Sequence, residues 1–119
     1  MTFRTPLVDQ ARQQRREYNE LQRLSTLVVL ERWLHQEAAS YGIDRVYIFG
    51  SVIRPYAFHT ESDVDLAIAP LSPDRFFAAI GAISETVERE VDLIELFKYP
   101  AKQHFYQRIC QQANVWSKL

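Results

Sequence analysis

The chain has one cysteine, Cys110, in 119 residues. That excludes an intramolecular disulfide and a four-cysteine zinc site. Long apolar stretches are missing: the longest run, Phe76 to Ile80, is far too short to span a bilayer. No charged-then-apolar leader opens the chain, which predicts no secretory signal. There is no basic excess, since 14 Lys and Arg face 15 Asp and Glu for a net charge of −1. The composition therefore carries no footprint of strong nucleic-acid binding. Repeats, low-complexity tracts and linkers are absent too. What remains is a chain of 47% apolar residues, long enough for one core. It predicts a single reduced, soluble, cytoplasmic domain.

The charges that are present are unevenly spread. Residues 1–24 hold five arginines against three acids. Residues 61–95 hold nine acids against Arg75 and Arg89, and residues 96–119 hold four cations and no acid. An acidic middle repels itself unless something positive sits there. Glu85, Glu88 and Glu90 read as solvated acids on a helix surface. Asp63, Asp65 and Asp92 do not, because they lie inside apolar runs.

Residues 1–8, with Pro6, read as a loose arm. From Asp9 to Tyr41 there is neither Pro nor Gly. Leu21, Leu24, Val28, Leu34, Ala38 and Tyr41 recur at helical steps there, which predicts a long amphipathic helix, or two abutting ones, stopped at Gly42. Arg12, Arg15, Arg16 and Arg23 are assigned to its solvated side. Arg45–Phe49 is rich in β-branched and aromatic residues and predicts a strand, with Gly50-Ser51 ending it before a short helical turn. Asp63–Ala69 predicts a second strand and Val91–Leu96 a third. A helix is expected between them over about 74–88, where Gly81 is the one breaker. Pro100 opens a last helix over about 101–113, with Phe105 expected in the core, and Val115-Trp116 predicts a short final strand. The alternation of helices and strands is that of an α/β domain with one small sheet.

Alternation along the second strand puts Asp63, Asp65, Ala67 and Ala69 on one face. Asp is depleted in strands, so two within one strand need a reason. Carboxylates at i and i+2 can converge on one ion, and hard oxygen ligands suit Mg²⁺ or Mn²⁺ rather than zinc. The alanines are expected to leave space above the sheet. If the third strand lies beside the second, Asp92 joins the pair, and three crowded carboxylates call for cations. Gly50-Ser51 at a strand-to-turn junction offers backbone N–H groups to phosphate, and Arg54 is a candidate to steady it.

Gly50-Ser51, eleven residues, Asp63-Val-Asp65 and then Asp92 together resemble the nucleotidyltransferase superfamily of the DNA polymerase β type. The phrases FGSVIR, SDVDLAI and VDLIEL look most like the minimal nucleotidyltransferases, the antitoxin partners of HEPN-domain proteins in toxin–antitoxin pairs. The resemblance implies an α+β nucleotidyltransferase fold, with a small mixed sheet flanked by helices. It implies two Mg²⁺ ions on Asp63, Asp65 and Asp92, and ATP as substrate with its phosphates on Gly50, Ser51 and Arg54. It further implies that Asp92 helps to deprotonate an attacking hydroxyl, and that a tyrosine of a HEPN-family ribonuclease toxin is adenylylated and the toxin silenced. The alternative is an antitoxin that neutralises its partner by binding alone. The chain departs from the family's habit at Pro55, where glycine is common, and in a loop to the Asp pair that is one residue longer. No acceptor-gripping domain follows the strands, so the acceptor is expected on a partner protein or a second copy.

Overall fold

Thr5 starts the first element. In the computed structural model, which describes residues 5–118, Thr5 Oγ1 accepts the backbone N–H of Val8 at 3.2 Å. Pro6 follows in the first helical turn, where its missing N–H costs nothing, and helix α1 runs Pro6–Glu37. Pro6 to Val8 are thus helical rather than part of a loose arm; the rest of that expected arm, residues 1–4, lies outside the described residues. A 3₁₀ turn, Ala38–Tyr41, prolongs the helix, and Gly42 ends it in the left-handed conformation at φ 79. Residues 6–18 of α1 are exposed along their whole length. Further on, Leu30, Trp33 and Leu34 are buried.

The strands are β1 (Arg45–Phe49), β2 (Val64–Ile68), β3 (Val91–Glu95) and β4 (Asn114–Ser117). Helix α2 (Pro73–Val87) joins β2 to β3, and α3 (Gln103–Gln112) joins β3 to β4. The sheet order is β3-β2-β1-β4. β1 runs antiparallel to both neighbours, whereas β2 and β3 are parallel, so the sheet is mixed, as expected. A parallel pair needs a crossover connection, and α2 supplies it. Among the described residues no helix is long and apolar enough to cross a membrane.

The two faces are covered differently. Val46, Ile48, Leu66, Ile68 and Leu93 face α1 and α2, and pack with Leu30, Leu34, Ile83 and Val87 in the main core. Alternate residues face α3, where Ala67, Leu96, Tyr106 and Ile109 form a second cluster with Tyr47, Phe49 and Ile94 against it. Two expectations change here. Ala67 is fully buried in that cluster, so α3 fills the middle of the alanine face, while Ala69 at its far end is exposed. Phe105 is 39% exposed, whereas Tyr106 is 2% exposed. A 3₁₀ turn, Pro100–Lys102, precedes α3, whose buried residues are Tyr106 and Ile109.

Gly81 lies in the middle of α2, where an added Cβ meets nothing within 4 Å. Gly81→Ala should therefore stabilise the chain by about 0.5–1 kcal/mol through helix propensity alone. A rise in the thermal unfolding midpoint checks it.

Candidate active site

Asp65 and Asp92 are register partners across the parallel β2–β3 pair, and Phe49 is the partner of Asp65 on β1. Neighbouring strands lie about 4.8 Å apart, so both carboxylates leave the sheet on one face, at one end. Asp63 precedes β2 on the same side, about 6–7 Å from Asp65 along the strand. Burial raises the Asp65 carboxyl above the ordinary carboxylate range, the charges of Asp92 and then Asp63 raise it further, and Arg54 opposes them. The three acids and Arg54 thus share one electrostatic neighbourhood. Among the described residues no three His, Cys, Asp or Glu side chains close around a common point. Repulsion between the three acids works against such closure.

The turn after β1 comes against this cluster. A 3₁₀ turn spans Gly50–Ile53, and Gly50 adopts φ 80, a conformation that glycine takes readily and other residues do not. A Cβ on Gly50 would overlap Asp65 Oδ2. The half-buried Ser51 hydroxyl makes no hydrogen bond among the described residues. Pro55 does not loosen the turn that follows. Ala57 N–H donates to Arg54 O at 3.1 Å, and Tyr56 has φ 61, so residues 54–57 form a β-turn with Pro55 second and a left-handed residue third.

Two arginines hold the loop between the turn and β2, and the spacing of the sequence identified neither. Arg23, expected in solvent, is 7% exposed. Its Nη1 donates to Val52 O at 3.2 Å, and its Nε to Glu20 Oε1 at 2.6 Å. Glu20 Oε1 also accepts the Tyr56 N–H at 3.0 Å, and the Arg16 guanidinium lies 4.3 Å from the centre of the Tyr56 ring. Arg12, Arg15 and Arg16 are exposed, as expected. At the other end of the loop, Arg89 Nη1 donates to the carbonyls of His59, Thr60 and Ser62 at 2.9–3.0 Å, directly before Asp63. Its guanidinium lies 4.1 Å from the centre of the Phe58 ring.

The Arg23 hydrogen bond, and after it the Tyr56 N–H, hold the Glu20 carboxyl down to about 2, from an ordinary 4.5. A lowered carboxylate pKa stabilises the fold fully above the ordinary value and loses that contribution as the pH falls through the lowered one. Glu20→Gln should therefore be less stable than the parent chain at pH 7, with the gap narrowing below pH 4.5 and closing near 2. Thermal unfolding across that pH range measures it.

A concavity of about 840 Å³ opens at the opposite end of the sheet, lined by Gly42, Arg45, Ile68, Leu71, Phe97 and Lys118 among others. It holds none of the candidate acids, so chemistry rather than volume locates the site.

Residues 34–118 match the family described as polymerase beta, nucleotidyltransferase. The chain belongs to that family. The match spans the whole sheet and well over half the chain, and it makes this a transferase domain of nucleotidyltransferase fold. No curated protein and no solved structure matches it. Nucleotidyltransferases of this kind generally use a nucleoside triphosphate and Mg²⁺, and the donor set fits Mg²⁺ by its chemistry: three carboxylates, all hard oxygen ligands, one of them destabilised as an anion by burial and then by the other two. In this nucleotidyltransferase the match begins at Leu34, so Arg16, Glu20 and Arg23, which hold the turn, come from the part of α1 that precedes it.

Proposed function

We propose that this nucleotidyltransferase is a Mg²⁺-dependent protein adenylyltransferase that acts as an antitoxin, transferring AMP from ATP to a tyrosine of a HEPN-family ribonuclease. The observation that carries the transfer chemistry is the Asp65–Asp92 register pair, set against the Gly50 turn. Asp63, Asp65 and Asp92 would hold Mg²⁺. When bound, the ion would neutralise the triphosphate and the departing pyrophosphate. The N–H groups of the Gly50-Ser51 turn, the Ser51 hydroxyl and Arg54 would bind the phosphates. The tyrosine oxygen bonds to the α-phosphorus, and the bond from that phosphorus to the α–β bridging oxygen breaks. Pyrophosphate leaves, and Asp92 takes the hydroxyl proton. The protein's share is position and charge. The resemblance to minimal nucleotidyltransferases supports an acceptor on a partner protein of the HEPN class.

The rival reading, neutralisation by binding alone, draws on the carboxylates that are not gathered around one point. One experiment separates the two. The chain is incubated with the product of the adjacent open reading frame, Mg²⁺ and ATP labelled at the α-phosphate, beside the Asp63→Ala/Asp65→Ala variant. Label on a partner tyrosine that disappears in the variant is the expected result. Neutralisation without label, retained by the variant, overturns the enzyme reading.

A further inference from the structure

Edge strand β3 has a free side next to Asp92. Two bonds show which of its peptide groups face β2: Val64 N–H donates to Glu90 O at 3.0 Å, and Leu96 N–H donates to Ile68 O at 2.7 Å. Peptide groups alternate sides along a strand. Residues 90, 92, 94 and 96 therefore turn theirs inward, and Val91, Leu93 and Glu95 turn theirs outward. No described strand pairs with that side, because β3 ends the sheet.

This edge keeps features that natural edges usually suppress. A groove of about 220 Å³ runs along it, walled by Phe76, Leu93, Ile94, Tyr99, Phe105 and Tyr106. Lys98 and Lys102 line the same groove. Glu95, also in its lining, is already engaged: Oε2 accepts the Leu71 N–H at 3.0 Å, and Oε1 accepts Lys98 Nζ at 2.9 Å. Lys102 makes no ion pair among the described residues, and its Nζ lies 5.8 Å from the centre of the exposed Tyr99 ring. Unpaired peptide groups, an apolar groove and an unmatched cation meet on one edge.

The geometry points to the free edge of β3 as the acceptor-docking site, taking an extended acidic polypeptide segment as a fifth strand. The inference rests on the transfer reading for the role of Asp92. Backbone bonds to Leu93 and Glu95 hold the segment, its alternate side chains enter the groove, and its acidic residue meets Lys102. Asp92 and Glu95 are about 10 Å apart along the strand, so a tyrosine some three residues from that acid comes level with Asp92.

The test titrates the ¹⁵N-labelled chain with ten-residue peptides, each carrying one tyrosine flanked either by Asp and Glu or by Lys. Acidic peptides should shift the Leu93 and Glu95 amide signals and slow their exchange, and should saturate at about tenfold lower concentration than the basic set. Lys102→Glu should reverse that preference. Acidic peptides that leave these amides unchanged, or equal binding of both sets, overturn the inference. So does protection that rises with protein concentration alone, which marks a second copy, or protection by an oligouridylate but by neither peptide set. Binding of a non-hydrolysable ATP analogue with Mg²⁺ is measured alongside. If that binding is missing, the transfer reading fails while the edge measurement stands.

Discussion

Asp65→Asn should make the protein more stable and the enzyme nearly inactive. Burial and the charges of Asp92 and Asp63 raise the Asp65 carboxyl above its usual value of 3.8. A raised carboxylate pKa means that folding favours the protonated form. The contribution of Asp65 is therefore most favourable below pH 3.8, and it is lost as the pH rises through the elevated value. Asparagine keeps the shape and carries no charge to desolvate. Without Mg²⁺, the thermal midpoint of the variant should exceed that of the parent chain at pH 7, and the difference should shrink towards pH 4. Added Mg²⁺ should raise the midpoint of the parent chain and have little effect on the variant. Nucleotidyl transfer should fall by about 10²–10³-fold, the scale seen when a preorganised electrostatic group is removed. A variant that is less stable than the parent at neutral pH would contradict the crowding of the three acids.

Gly50→Ala carries the second large effect, with the opposite sign on stability. Gly50 has φ 80, and its missing Cβ is the space that Asp65 Oδ2 occupies. The left-handed conformation alone costs alanine about 1–2 kcal/mol. The overlap adds to that by forcing the carboxylate or the turn to move. Both stability and binding of the triphosphate should be lost, because the displaced groups belong to the two halves of the proposed site. Calorimetric titration with an ATP analogue and Mg²⁺, beside a thermal melt, reads both. Gly81→Ala is the internal control, since the same substitution in open helical space should have the reverse effect on the melt.

The acids are legible in the sequence because aspartate in an apolar strand is out of place. Two-residue alternation is enough to put Asp63 and Asp65 on one face. That Asp92 joins them depends on the order of the strands, which periodicity does not specify; the crossover through α2 supplies the answer. Gly50 is legible as a backbone feature at a strand end, but its contact with Asp65 is not. Arg23 and Arg89 cannot be read at all. The backbone carbonyls that accept from them lie 27 to 30 residues away, and a carbonyl that accepts an arginine leaves no mark on the local pattern of residue types. Ala67 misleads for a related reason: a small side chain signals close approach, and only the position of α3 shows that a helix, rather than a ligand, makes that approach.

The segment from Val52 to Ser62 is anchored at its two ends by unlike chemistry. On the Arg23 side the anchor includes the Glu20 carboxylate, which can take up a proton. On the Arg89 side the acceptors are peptide carbonyls, which do not titrate. Strong acid should therefore release this segment from one end, freeing the Gly50 neighbourhood while the approach to Asp63 stays tethered, so that partial acid unfolding has a built-in direction.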